Sequence, residues 1–250
     1  MTLGDFARQA QAYAARPTYP EALLDRLLVA AGVAAGDRVA DLGAGTGLFT
    51  RMLAERRLLV EAVEPSQPMR AQAASHPCVR WRRGTFEATG LDDRSVRWVT
   101  AAQAFHWADP ARALPELHRV LLPGGRLTCL WNDRRDQDSP VLTELMATIR
   151  RLAPGFDERY RDRDWALVLR TGGWFGEPTR DEERHDVTMS ADRLRTLWRS
   201  HNHLAHHAGP ALPRVLAAID AVIDEAAATT AGAIAIPYVT RAWTARAVAR

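Results

Sequence analysis

DLGAGTG, Asp41 to Gly47, governs how the rest of the chain is read. Ahead of it, Arg38-Val39-Ala40 opens a short apolar run. Behind it, Leu48, Phe49, Met52 and Leu53 recur at helical spacing, so the stretch reads as strand, glycine turn, helix. Glycines at 43, 45 and 47 strip the Cβ atoms from one side of the turn. The backbone there can take left-handed angles and lie directly against a ligand. Such a turn, at the carboxyl end of a first parallel strand, is where open α/β sheets bind nucleotides.

A second apolar run, Leu58 to Val63, ends in Glu64. That is about twenty residues past the glycines, where a ribose-binding acid is expected. A carboxylate there can accept both ribose hydroxyl protons. A dinucleotide and S-adenosylmethionine both fit so far, and the turn separates them. The dinucleotide fingerprint is G-x-G-x-x-G, with its last glycine inside the helix. Here the pattern is G-x-G-x-G, and Asp41 stands two residues before the first glycine. A carboxylate in that place suits a cationic ligand and repels a pyrophosphate. S-adenosylmethionine carries a sulfonium and an ammonium and has no phosphate.

On these residues the chain resembles the class I S-adenosylmethionine-dependent methyltransferases. VADLGAGTGLFTRML is similar to their first motif, VEAVEPSQPM to their second, and RVLLPGGRL to their R-V-L-x-P-G-G-x-L. YAARPTYP near the start and IAIPYVTRAW near the end resemble a subgroup that includes trans-aconitate methyltransferase-like proteins. The resemblance implies a Rossmann-like α/β fold. Its seven-stranded sheet would be mostly parallel, with an antiparallel last strand and helices on both faces. It also implies one domain over 1–250, with a cover at 1–20, a cofactor core at 21–132, and cap helices at 133–176 and 190–230 over the acceptor site. The cofactor residues it implies are Asp41, Gly43, Ala44, Gly45, Gly47, Glu64, Pro65 and Met69. Tyr13 and Arg16 join them from the cover, and Ala102, Gln103 and His106 from the end of the fourth strand. Thr85 stands where the family usually carries an acid for the adenine amino group, so the Thr85 hydroxyl or nearby Glu87 must serve. Phe86 either packs on the adenine or belongs to the core.

The periodicity places a helix at Glu21–Ala31 with Gly32 as its stop. A short helix follows over Pro68–Ala74, a third strand over Val79–Arg83 and a fourth over Val96–Ala102. Asp109-Pro110 caps a helix to Leu122, in which Pro115 predicts a kink. The fifth strand is expected at Gly125–Trp131, then a helix from Ser139-Pro140 to Leu152. Residues 153–164 form a charged loop, and a short helix runs from Trp165 to Arg170. A strand over Glu177–Met189 precedes a helix from Ser190 to about His203 and another over Leu212–Ala228. The last strand lies within Ile234–Val248, antiparallel to 177–189.

Composition narrows the function. Nearly half the residues are apolar and a quarter are charged, as in a globular domain. No apolar run reaches membrane-spanning length, and MTLGDFARQAQAYAARP lacks the apolar segment of a signal peptide. Cys78 and Cys129 are far apart, without metal-ligand spacing. These features point to a cytoplasmic protein with reduced thiols. There is no lysine, which excludes Schiff-base chemistry and a lysine-bearing phosphate loop. The net charge is only +3, with the arginines set among acids, so neither nucleic acid nor membrane is an expected partner. A small-molecule acceptor, handled by a monomer or homodimer, fits better.

Methyl transfer needs the acceptor atom aligned with the methyl group, and a base if that atom is a hydroxyl oxygen. AQAFHWAD leaves the sheet where the family brings side chains to the sulfonium. It lacks the N/D-P-P-Y motif of enzymes that methylate exocyclic amines of DNA, or glutamine. His106 is the first candidate base, since imidazole titrates near neutrality. The other reading is that His106 and Trp107 wall the pocket. SHNHLAHH supplies His201, His203, His206 and His207. His203 and His207 stand i, i+4, but no acidic or cysteine ligand accompanies them, so no metal is expected. His203 is kept as a second catalytic candidate. Trp131, Trp165, Trp174, Phe175 and Trp198 fall in cap-forming parts and favour an apolar or aromatic acceptor. The expected reaction is methyl transfer to a hydroxyl, carboxylate or carbon. The alternative is a cofactor-binding cyclase or scaffold that does not methylate.

Overall fold

A computed structural model describes residues 15–156 and 162–249. Tyr13 lies outside them. Seven strands form one sheet: β1 Arg38–Leu42, β2 Leu59–Val63, β3 Val79–Arg82, β4 Val96–Ala102, β5 Leu121–Arg134, β6 Thr179–Met189 and β7 Ile234–Arg246. Their order is β3-β2-β1-β4-β5-β7-β6. Pairing from β3 through β5 is parallel throughout. The last strand is antiparallel. As β5 advances from Gly125 to Arg135, its partner retreats from Ala247 to Pro237. The expected mixed sheet is therefore present. Its strand order reverses beside β1, with β2 and β3 on one side of it and β4 on the other. That is where ligands bind in such sheets.

The contacts cluster into two compact units. One comprises residues 18–132, 163–183 and 240–250; the other 1–17, 133–162 and 184–239. In the first, or sheet unit, β1 and β2 are buried over four of their five residues, as parallel strands covered on both faces must be. The helix α1 Glu21–Ala31 buries Leu23, Leu24 and Leu27 in the same core as Val39, Val60 and Trp98. Truncating one such leucine to alanine costs about 2–5 kcal/mol. Gly32, at φ 66, closes α1 with N–H bonds back to its last turn. Buried polar groups are paired across the strands. The Trp98 indole N–H donates to Thr128 Oγ1 at 2.8 Å, and Thr128 is 2.8 Å from Thr244 Oγ1, joining β4, β5 and β7.

The second, or helical unit, packs α5 Pro140–Leu152, α7 Ala191–Arg199, α8 Asn202–Ala208 and α9 Leu212–Thr229 around Leu145, Ile149, Leu194, Trp198, Ile219 and Ile223. Ser139 caps α5 and Ser190 caps α7, as their positions suggest.

Three expectations are corrected. The helix from Ser190 ends at Arg199, because the Ser200 hydroxyl turns back onto the Leu197 carbonyl at 2.6 Å. The histidine run starts the new helix α8. Strand β5 begins at Leu121, straight after the helix α4 Pro110–Val120, and reaches Arg134. The Pro-Gly-Gly stretch is bulged within it, since Val96 pairs with Leu121 but Trp98 with Arg126. Trp174 and Phe175 are not near the carboxyl ends of the strands. They stand 5.3 and 6.1 Å from His118, and Phe175 bridges Ala247, which bonds Gly125 at the amino end of β5.

Candidate active site

The turn after β1 is held by β2. The N–H groups of Gly43 and Ala44 both donate to the Val63 carbonyl, at 2.8 and 3.2 Å. The Gly45 N–H donates to Glu64 Oε2 at 2.9 Å, and the Gly47 N–H to the Ala44 carbonyl at 2.9 Å. All three glycines have positive φ, at 65, 59 and 89°. They differ in what surrounds them. A Cβ at Gly43 would stand 2.5 Å from Ala104 Cβ, and one at Gly47 would stand 3.0 Å from the Trp81 ring. At Gly45 a Cβ would meet nothing within 4 Å. Gly43 and Gly47 are glycines for packing, and Gly45 alone opens outward.

Two carboxylates flank the turn. Asp41 is 1% exposed, and its two oxygens accept from Thr50 Oγ1 at 2.6 Å and Thr100 Oγ1 at 2.9 Å. Burial pushes its carboxyl up to about 6, against the two threonine bonds, and the nearby Glu64 charge adds to the rise. Asp41 thus ties α2 Leu48–Glu55 and β4 to the end of β1, and what it offers beyond them is its charge. Glu64 is buried at the end of β2. One oxygen accepts from Gly45 and the other from the Ser66 N–H at 2.8 Å. Burial raises its pKa, opposed by those two N–H groups and by Arg70, which also donates to the Glu64 carbonyl. A carboxylate has about four lone-pair sites, so two remain for hydroxyl donors. Beside it, Pro65 is half-buried and Met69 is buried in the short helix α3 Gln67–Ala71.

Beyond β3, the Thr85 N–H closes a turn onto the Ala88 carbonyl at 3.0 Å. The Phe86 ring is buried, edge-on to Phe105 at 5.4 Å and below Gly43. Glu87 accepts from the Asp109 N–H at 2.9 Å, at the start of α4.

The end of β4 forms the other wall. Ala102 is the last residue of β4. Gln103 takes φ 56, uncommon for a side chain of its size. Its backbone N–H donates to the Leu130 carbonyl at 2.8 Å and its Nε2 to the Asn132 carbonyl at 2.9 Å. Asn132 in turn bonds the Thr18 carbonyl and Thr240 Oγ1, at 3.3 and 3.0 Å. His106 follows, in the single 3-10 turn Phe105–Trp107. The Trp131 indole N–H donates to His106 Nδ1 at 3.3 Å. Trp131 is buried and stacks at 4.1 Å on Trp165, the first residue of the short helix α6 Trp165–Leu169, with Trp243 edge-on at 5.6 Å.

The structure thus gathers Asp41, the glycines, Glu64, Met69, Phe86, Gln103 and His106 in the sheet unit. Arg16 belongs to the helical unit, where its carbonyl accepts from Arg193 at 3.5 Å. His203 is in α8, and its side chain lies outside the described residues. Among the described residues no group of three or more His, Cys, Asp or Glu could hold a metal ion, and no helix is long and apolar enough to cross a membrane. Sequence reasoning missed the Trp131–His106 bond and the Gln103–Asn132 clamp. The signal was present, as two indoles and an amide clustered at the ends of β4 and β5.

The site's chemistry suits a pyrophosphate poorly. In dinucleotide sites, backbone N–H groups of the glycine turn cradle phosphate oxygens. Here those of Gly43, Ala44, Gly45 and Gly47 are all spent inside the protein. Two carboxylates replace them, and no lysine is at hand. The arrangement fits a ligand with ribose hydroxyls and a positive charge.

Comparison with known proteins agrees. Residues 40–129 match the family model of the methyltransferase domain. An uncharacterised methyltransferase of Mycobacterium tuberculosis is 37% identical over 238 residues, 83% of this chain and 90% of that one. A ubiquinone/menaquinone biosynthesis C-methyltransferase of Rubrivivax gelatinosus is 40% identical over 99 residues, 38% of this chain and 39% of its own. Among solved structures, a protein of Anaeromyxobacter dehalogenans, described provisionally as a type II methyltransferase, superposes with TM-score 0.64. It is 25% identical, over 93% of this chain and 97% of that one. A phosphoethanolamine N-methyltransferase of Haemonchus contortus, solved with phosphomonomethylethanolamine and S-adenosylhomocysteine, has TM-score 0.53 at 14% identity. That match covers 97% of this chain and 58% of the other.

Proposed function

This chain belongs to the class I S-adenosylmethionine-dependent methyltransferases, and we propose that it methylates a small molecule at a hydroxyl, a carboxylate or carbon. The observation that carries the cofactor side is the open face of Gly45 beside a buried Glu64, in a turn where the N–H groups of Gly43, Ala44, Gly45 and Gly47 bond within the protein. The bound cofactor supplies a methyl on a positively charged sulfur, a group ready for in-line displacement.

The chain's own residues do the rest. Glu64 would accept the ribose hydroxyls with its two remaining lone-pair sites, and Gly45 would let the adenosine approach the backbone. Asp41 would supply negative charge near the cationic end without a direct bond. Thr85, Phe86 and Glu87 would border the adenine, with Phe86 supporting the turn from below. Ala102, Gln103 and His106 would line the methyl-bearing end. His203 is kept as a candidate for the acceptor side, and Tyr13 and Arg16 as candidates for the cofactor.

Aligning the acceptor can supply several kcal/mol of the barrier reduction. The trans-aconitate-like subgroup, a cytoplasmic location, and a monomeric or homodimeric state remain part of this proposal. The deciding experiment is incubation with methyl-labelled S-adenosylmethionine and a panel of carboxylic acids, phenols and carbon acids, read by mass. Label should appear in a small acceptor. Cofactor binding with label passing only to water or protein would reject the small-molecule reading.

A further inference from the structure

We propose that the amino-terminal edge of the sheet carries a second binding site, for a small organic acid with an apolar body. It goes beyond the methyltransferase reading and does not rest on it. A cavity of about 760 Å³ opens between the turn before β4, the start of β5 and the end of β7. That volume is of ligand size. Its walls belong entirely to the sheet unit. Strand β5 runs from Leu121 to Arg134, so the cavity and Trp131 lie toward opposite ends of it, on the order of 20 Å apart along the strand.

The charges lining the cavity do not balance. Asp93, Arg94, Arg119 and Arg246 all contribute to it. Arg119 and Asp93 neutralise each other as an ion pair, and Arg119 also holds Glu116 at 2.7 Å and the Leu91 carbonyl at 2.9 Å. The guanidinium groups of Arg94 and Arg246 make no hydrogen bond or ion pair among the described residues. Two positive charges thus line one concave surface with no carboxylate left to answer them. Such a surface draws anions.

The sequence makes room for one of these cations. The Arg246 guanidinium lies across Gly124, at φ 74, in the bulge of β5. A Cβ there would stand 2.9 Å from Nη2 and 3.4 Å from Nε. The rest of the wall is mostly apolar, with Leu121, Leu122 and Val248 beside the Trp174 ring. That ring stands 5.3 Å from His118, whose Nε2 donates to the Val248 carbonyl at 2.8 Å and ties α4 to the chain after β7. A carboxylate matches the paired N–H groups of a guanidinium, and an apolar body matches the wall.

The test is calorimetry of the full chain with 2-naphthoate and with its uncharged amide, 2-naphthamide. The acid should bind at a single site, and the amide at least about tenfold more weakly. Arg246→Gln should weaken the acid by about fivefold, and Arg94→Gln with Arg246→Gln by more than about tenfold. Both side chains are exposed, so the variants should keep the wild-type unfolding midpoint. Saturating S-adenosylhomocysteine should leave the affinity for 2-naphthoate unchanged. No binding of 2-naphthoate at millimolar concentration overturns the proposal, and so does equal affinity for the amide. Equal affinity in the double variant, or displacement by S-adenosylhomocysteine, puts the acid elsewhere and overturns it too. Binding of 2-naphthoate as expected, with no binding of S-adenosylhomocysteine, keeps this site and counts against the cofactor reading alone.

Discussion

The carboxylate of Glu64 holds the N–H of Gly45 at 2.9 Å, across a sequence separation of 19 residues. The acid assigned to the ribose is thus also the latch of the turn. Glu64→Ala should remove charge-assisted bonds to the ligand worth about 1.5–3 kcal/mol, weakening S-adenosylhomocysteine binding by at least about tenfold in calorimetry. It should also lower unfolding stability, because Gly45 and Ser66 lose their acceptor. Full stability with weak binding would mean that the latch does not matter.

The glycines should separate by function. Gly43→Ala brings a Cβ within 2.5 Å of Ala104 and should cost stability first, by about 1–3 kcal/mol. Gly45→Ala meets open space and carries only the strain of φ 59, about 1 kcal/mol. It should fold and yet bind S-adenosylhomocysteine poorly, since its methyl group fills the ligand's face. Equal affinity in Gly45→Ala and wild type would move the ligand elsewhere.

Asp41 should make stability fall as pH rises. Its folded value, about 6, lies above the ordinary carboxyl value of 3.8, so the folded state holds the extra proton in between. Unfolding free energy contributed by this group therefore declines from pH 4 to 6, and the ionised form is the costly one. Asp41→Asn removes that dependence. Relative to wild type, the variant should gain on the order of 2–3 kcal/mol across the window, read from denaturant titrations at several pH values. A constant difference between the two proteins would show that Asp41 does not titrate there.

His106 variants distinguish donor from base once an acceptor is found. A side chain that only donates is partly replaced by glutamine, so in that role His106→Gln keeps turnover within about tenfold while His106→Ala loses more. A general base would lose about 10²–10⁴-fold in both. Rates at saturating substrates decide between them.

The turn was legible because its signals are local. Glycine spacing, the helical run behind it and an acid at the next strand end all lie within residues 38–64. The seven-stranded, mostly parallel sheet with its antiparallel last strand followed from the resemblance those motifs carry. What stayed hidden depends on strands laid side by side. Thr50 and Thr100 reach Asp41 only because α2 and β4 meet at β1, so an acid that looks exposed in sequence is buried and bonded at both oxygens. Trp131 meets His106 across β4 and β5, 25 residues apart. Trp174 and Phe175 look like acceptor aromatics by composition, but composition does not say which end of a strand they face. The break at Ser200 had a warning in its polar run, since serine, histidine and asparagine compete for backbone groups.

Any descendant of this chain inherits a constraint at Gln103. Two independent demands meet there, a left-handed backbone and an amide long enough to reach the Asn132 carbonyl. Glycine satisfies the first and gives up the second. Asparagine tolerates the backbone but is one methylene shorter. Other long side chains reach but lose either the donor or the conformation. Mutational drift at this position should be slow compared with its neighbours, and a library of all substitutions scored for folded yield should leave glutamine nearly alone at the top.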